Sequence, residues 1–325
     1  MLAAVLRRSV PSSVLEVEEL PVPVVKGPGW VRIAVKAAGM NRSDLHLRKG
    51  LSDMRVFPII PGIEAVGTVD DELETGLRPG QQVAAMLGGM GRLFDGGHAE
   101  FTVVPASTVV PFRSDLPWAT IGQVPETLQT AYGSVVRTLA IEAGQRILVR
   151  GGTSALGFAA TAIAKERGAI VLSTTRSADR LDTLAQWGAD VPILDTGNIA
   201  AQIHEMAPGG VDAALELVGA PTLRDTLLST RPGGTVCFTG MLSNSWIIEQ
   251  FYPIDFIPRG VRLTSYSGNA ADLPPSLLQR YLDRIERGEF CLGPRTDYHL
   301  RDMQQALQDI DSNTVVGKVV IVTGN

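Results

Sequence analysis

Hydrophobic and polar positions change character once along the chain. Up to residue 117, short β-favouring runs (AAVLRR, LEVEELPVP, WVRIAVKAAGM, EAVGTVD, QQVAAML and AEFTVVPASTVVP) are cut by Pro and Gly. Runs of this length between turn residues predict a compact, mostly antiparallel β domain. From Trp118 onward, apolar strands at 146–150, 170–174, 191–194, 212–217, 235–239 and 261–266 alternate with helical runs. That alternation predicts an α/β domain built on a parallel, doubly wound sheet with right-handed crossovers. Residues 274–288 place Leu277, Leu278, Tyr281, Leu282 and Ile285 on one face of a helix, and GKVVIVTG reads as a closing strand. Two domains are expected: 1–117 with 269–325, and 118–268.

The stretch QRILVRGGTSALGFAATAIAKERGA, 145–169, organises the second domain. It predicts a buried strand, a glycine turn and a helix of small residues that packs closely on a sheet. The spacing Gly152-x-Ser154-x-x-Gly157 is a variant of the dinucleotide fingerprint with serine as its middle member. The N–H groups of Ala155, Leu156 and Gly157 would then face an anion at the positive end of the helix. A purely structural strand-to-helix turn has the same pattern. A hydrolase nucleophile elbow does not, because it requires glycine two residues after the serine, where Leu156 stands.

The next strand, AIVLST at 169–174, ends in Thr174, Thr175 and Arg176, where an NAD-binding fold places an acidic residue on the ribose hydroxyls. Two hydroxyls and a guanidinium suit a 2′-phosphate, and hence NADPH. The same residues also fit a plain helix start capped by Ser177.

Composition narrows the classes. A chain of 325 residues with 45% hydrophobic residues can bury two cores. A net charge of −5 without a basic run argues against nucleic-acid or anionic-membrane partners. The first residues lack the order of a signal peptide, and no segment reaches about 18 uninterrupted apolar residues. Two cysteines, Cys237 and Cys291, cannot build a disulfide framework or a four-thiolate zinc lobe, so a cytoplasmic location is expected.

Five strings, AAGMNRSDLHLRKG (37–50), PIIPGIEAVGTV (58–69), GGHAEFTVVP (96–105), PETLQTAYGSV (125–135) and RPGGTVCFTG (231–240), occur in order. Together they resemble the medium-chain dehydrogenase/reductase superfamily, and within it the zinc-free quinone oxidoreductases. The resemblance covers nearly the whole chain. It implies a GroES-like β domain, a Rossmann domain, an NADPH-filled cleft between them, and a homodimer joined through the last strands of the cofactor sheets, here 261–266. Zinc-dependent members carry a cysteine, a histidine before a glutamate, and a third ligand; those positions hold Asn41, Ile63 before Glu64, and Glu126. An amide and an isoleucine cannot complete a catalytic set of three protein ligands, so no metal is expected.

What the resemblance leaves in the site is polar. Asn41 can donate an N–H to a carbonyl oxygen that gains charge as hydride arrives. Ser43 and His46 match the proton-relay positions of the zinc members, although His46 also reads as a surface histidine on a short helix. Thr130 matches a hydroxyl packed beside the nicotinamide, and Val218, Gly240 and Met241 stand at strand ends on the ligand side of the sheet. Glu126 reads equally as a structural carboxylate, and His98, His204 and His299 lack ligand-spaced partners. The expected function is NADPH-dependent hydride transfer to a quinone or an α,β-unsaturated carbonyl without zinc. The alternatives are an enoyl-thioester reductase and a non-catalytic NADPH-binding or interaction protein. Substrate walls are expected from loops 49–56, 87–95 and 243–256.

Overall fold

A computed structural model describes residues 1–9, 14–52 and 56–324; part of the expected loop 49–56 therefore lies outside the described residues. In chain order the strands are β1 (Leu2–Val5), β2 (Glu16–Glu19), β3 (Trp30–Met40), β4 (Glu64–Leu73), β5 (Gln82–Met86), β6 (Phe101–Pro105), β7 (Val109–Pro111), β8 (Arg146–Arg150), β9 (Ile170–Thr175), β10 (Val191–Leu194), β11 (Val211–Glu216), β12 (Thr230–Phe238), β13 (Arg262–Ser265), β14 (Arg295–His299) and β15 (Lys318–Val322). The helices used below are α1 (Arg42–Lys49), α2 (Trp118–Gly122), α3 (Pro125–Tyr132), α4 (Ala155–Glu166) and α5 (Ala220–Leu228).

The chain forms two compact units, Met1–Gln129 with Asn269–Asn325, and Thr130–Gly268. In the first, β14-β15-β3-β4-β5-β7 make one sheet, and β6 also pairs β3. The long strand β3 is antiparallel to β4, β6 and β15, taking β6 along its first half and β15 along its second. Burial follows this layout. Val31, Ile33 and Val35 alternate with more exposed neighbours, whereas residues 37–40 beyond Lys36 are buried without alternation. Alternation marks a sheet with one solvated face and its loss marks cover on both faces.

One cover is α2. Its Ile121 is wholly buried and its Gly122 lies against Ala37 and Val320. The units therefore divide at Gln129/Thr130, whereas the sequence pattern starts the second domain at Trp118. A short helix between two domains carries no periodicity that tells which sheet it will cover.

The second unit is a six-stranded parallel sheet in the order β10-β9-β8-β11-β12-β13. Counted from β8 this is the doubly wound order 3-2-1-4-5-6, whose direction reverses beside β8, the point where such sheets bind ligands. Ile147, Leu148 and Val149 are fully buried between β9 and β11. Phe158, Ala159, Ala160 and Ile163 of α4 are buried as well. Each fully buried large aliphatic side chain contributes about 1.5–3 kcal/mol, and the alanines let the helix approach closely. Among the described residues no helix is long and apolar enough to cross a membrane.

Candidate active site

The turn after β8 is built to leave backbone donors exposed. Gly151 donates to Thr174 Oγ1 at 3.1 Å and Gly152 to the Thr174 carbonyl at 2.8 Å, so the turn is tied to the end of β9. Ser154 caps α4: its hydroxyl accepts from Gly157 N at 3.0 Å and donates to Gly151 O at 2.8 Å. A Cβ on Gly157 would stand 2.5 Å from Gly151 O, which only glycine avoids. The capping bond changes the donor set expected from the sequence. Gly157 gives its N–H to Ser154, while the N–H groups of Thr153, Ala155 and Leu156 meet no acceptor among the described residues. Three unspent donors at the start of a twelve-residue helix suit a phosphate anion.

At the end of β9 the three expected contacts separate. Thr174 is buried, and its hydroxyl accepts from Gly151 N and donates to Asp195 Oδ2 at 3.3 Å. Its hydroxyl thus braces the turn after β8 against Asp195. Thr175 is also buried, its Oγ1 accepting from Ser177 N at 3.3 Å. Arg176 is exposed and pairs with no carboxylate among the described residues.

The other strand ends hold further expected residues. Glu216, fully buried at the end of β11, accepts from Val218 N at 2.7 Å, Gly219 N at 3.0 Å and Thr222 Oγ1 at 3.0 Å, and from the Thr226 hydroxyl. Gly240 and Met241, just past β12, and Thr130 on α3 are partly exposed.

In the first unit Asn41 is enclosed by partners. Lys318 Nζ donates to Asn41 Oδ1 at 2.7 Å and to Glu64 Oε1 at 2.6 Å; Asn41 Nδ2 donates to Glu64 Oε1 at 2.9 Å and, more weakly, to Gly39 O at 3.3 Å. Glu64 Oε2 accepts from Glu126 N at 3.0 Å, and Glu126 Oε2 lies 3.9 Å from Lys318 Nζ. Both side chains of the Lys318–Glu64 pair are 1% exposed. Gly39 makes the room, since a Cβ there would meet Glu64 Oε1 at 2.3 Å and Lys318 Cε at 2.6 Å.

Ser43 and His46 sit on α1, and His46 is buried, which removes the surface alternative. Arg92 donates to both the hydroxyl and the carbonyl of Ser43. Asp44 caps α1 by accepting from Asn41 N at 2.9 Å and lies 3.5 Å from the buried His98. Burial pushes the Asp44 carboxyl upward, but contact with His98 and the charge of Arg92 more than offset it and hold it below the usual carboxylate range.

Residues 27–114 match the alcohol dehydrogenase GroES-like domain and residues 155–284 the zinc-binding dehydrogenase domain. The putative quinone oxidoreductase YhfP of Bacillus subtilis is 28% identical, over 96% of this chain and 94% of that protein. A probable quinone oxidoreductase of Schizosaccharomyces pombe is 27% identical over the same shares. The chain belongs to the medium-chain dehydrogenase/reductase superfamily. It is an oxidoreductase of the quinone oxidoreductase-like kind. A mycobacterial protein solved in complex with NADPH superposes with a TM-score of 0.86 at 25% identity, covering 99% of this chain and all of that one.

Two buried charges, one in each unit, are not signalled by any motif of the sequence. Lys318 opens the apolar strand KVVIV, and Arg150 closes RILVR, whose other end is Arg146. A charge closing an apolar strand is itself a signal, because such a group is buried only with a partner. Arg150 is fully buried against Asp195 and Asp225. Burial works against its charge, yet Asp195, Glu216 and Asp225 raise its pKa above the ordinary value.

Proposed function

We propose that this oxidoreductase uses NADPH to reduce a quinone or an α,β-unsaturated carbonyl, without zinc. The observation that carries the proposal is the turn after β8, with three unspent N–H donors in Thr153, Ala155 and Leu156 and an exposed Arg176 past the neighbouring strand. The names of the relatives and the NADPH bound to the mycobacterial neighbour support it.

A bound NADPH supplies hydride. The three N–H groups would hold its pyrophosphate, and Arg176, with Thr175 beside it, would recognise the 2′-phosphate. Thr130, Val218, Gly240 and Met241 would orient the nicotinamide from the ligand side of the sheet. Asn41 would stabilise the oxygen that gains charge, using the N–H now spent on the longer 3.3 Å bond to Gly39 O. His46, buried on α1, is the proposed source of the proton that follows.

A zinc ion does not suit the first unit. The positions matching metal ligands hold an amide, an isoleucine and Glu126, and the ammonium of Lys318 stands 2.7 Å from Asn41 Oδ1 and 3.9 Å from Glu126 Oε2. A second cation among these groups would meet that charge unscreened. We also place the protein in the cytosol, where its two unpaired cysteines are at home.

The decisive experiment is NADPH oxidation with a simple quinone, run with and without EDTA and paired with elemental analysis. Steady turnover in chelator and sub-stoichiometric zinc are expected. Cofactor binding without turnover on any quinone or enone would leave only a binding protein, and zinc-restored activity would overturn the metal-free assignment.

A further inference from the structure

Arg150 is the largest fully buried side chain among the described residues, and the chemistry proposed above gives it no task. It is the last residue of β8, and the glycine turn begins at the next position. Its guanidinium is completely engaged. Nε and Nη2 fork onto the two oxygens of Asp195, at 2.9 Å each. Nη1 donates to Asp225 Oδ2 at 2.7 Å, Thr226 Oγ1 at 3.0 Å and Thr222 O at 3.1 Å, and Nη2 also reaches Gly197 O at 3.1 Å.

Following these bonds outward leads to the ends of four parallel strands. Asp195 accepts from Thr174 Oγ1, which accepts from Gly151 N; this joins the turns after β8 and β9. Asp195 and Gly197 form the turn after β10, where Asp195 Oδ1 also accepts from Gly197 N at 2.8 Å. Thr226 and Thr222 of α5 donate to Glu216, whose carboxylate holds the N–H groups of Val218 and Gly219 after β11. One planar, permanently charged fork thus reaches, directly or through at most two side chains, the turns after β8, β9, β10 and β11. A charge placed for stability alone would serve as well at the opposite ends of the strands; this one lies at the ligand side.

We infer that Arg150 is the positioning residue of the dinucleotide cradle, fixing through Asp195, Thr174 and the Glu216 cluster the turns that present their N–H groups to the cofactor. This rests on the NADPH assignment above.

The test begins with the unaltered protein, by fluorescence titration with NADPH; absence of binding there would fail the cofactor assignment itself. Arg150→Met, which keeps length and loses the fork, should raise the NADPH dissociation constant at least ~10-fold, about 1.4 kcal/mol. Arg150→Lys, a point charge without the fork, should recover part of that loss. Thr174→Val and Asp195→Asn break the same links with little change of volume, and they carry the test should Arg150→Met not fold. The effects of Arg150→Met and Thr174→Val should fall short of additive, because both act through Asp195. Amide hydrogen exchange at residues 151–156 and 218–219, read without cofactor, should quicken in Thr174→Val and Arg150→Lys more than in the rest of the sheet. A lowered melting temperature with unchanged NADPH affinity and uniform exchange would overturn the inference and leave Arg150 a structural ion pair.

Discussion

Lys318 Nζ lies 2.7 Å from Asn41 Oδ1, and that contact decides which way the Asn41 carboxamide faces. An ammonium has only donors, so the atom it meets must be the oxygen, and Nδ2 is turned toward Glu64 and Gly39. The orientation of a residue proposed to act on substrate is thus set by a side chain of the last strand.

Removing that ammonium should unbalance the cluster. Lys318→Met leaves Glu64 buried and without its cation, and the expected loss of stability is about 3–5 kcal/mol. Urea denaturation read by tryptophan fluorescence measures it. A change below about 1 kcal/mol would mean that the pair contributes little beyond what well-packed apolar groups supply.

Asn41 and His46 should separate by substrate. Asn41→Ala should lower kcat about 10²-fold, the cost of one lost oxyanion donor, with NADPH affinity nearly kept. His46→Gln should cost less with a quinone, whose reduced oxygen takes a proton from water, and more with an enone, whose carbon must be protonated. Full kcat in Asn41→Ala on both substrates would confine Asn41 to linking Lys318 and Glu64.

Cofactor choice should follow Arg176. NADPH is expected to bind at least ~10-fold more tightly than NADH, through charge-assisted bonds to the 2′-phosphate. Arg176→Ala should erase most of the difference, whereas Thr175→Val should matter less because its hydroxyl already accepts from Ser177 N. Paired titrations with both cofactors check this, and equal affinities in the unaltered protein would refute it.

Acid should loosen the second unit through Asp195. Burial pushes its carboxyl upward, but the bidentate contact and charge of Arg150 more than compensate and hold it below the ordinary range. The folded-state value is the lower one, so its contribution to stability is fully present above the unfolded value of about 3.9 and is lost as pH falls through the folded one. The stability gap between unaltered protein and Asp195→Asn should therefore narrow on acidification below about pH 4. Urea midpoints across that range measure it, and a constant gap would contradict the sign.

Association should use the free edge of the cofactor sheet. Among the described residues, strand β13 pairs only β12. Beside it, Phe238, Trp246, Ile248 and Leu263 line a surface hollow of about 380 Å³, while Ile247 and Ile254 are 74% and 83% exposed. A homodimer formed through this edge is the expected state. Light scattering at micromolar concentration checks it; a monomeric mass, or a dimer unaffected by Leu263→Lys, would exclude this edge.

Much of the architecture was legible in the chain itself. Strand and helix periodicity, the order of apolar runs, and glycine spacing at 152 and 157 are local properties, and they led to a parallel α/β sheet and to its ligand side. The absence of cysteine and histidine at positions 41 and 63 was likewise plain from the sequence. Tertiary structure decided what local pattern could not. Strand β9 ends at Thr175, so Thr174 is held within the sheet, where it braces Gly151, while Arg176 lies beyond the strand and reaches solvent. Capping geometry moved the unspent donor from Gly157 to Thr153. Asn41 meets Lys318 across 277 positions, and Arg150 meets Asp225 across 75. Those partnerships exist because a buried charge must find its counter-charge wherever the fold brings one within reach, and sequence distance carries no information about which it will be.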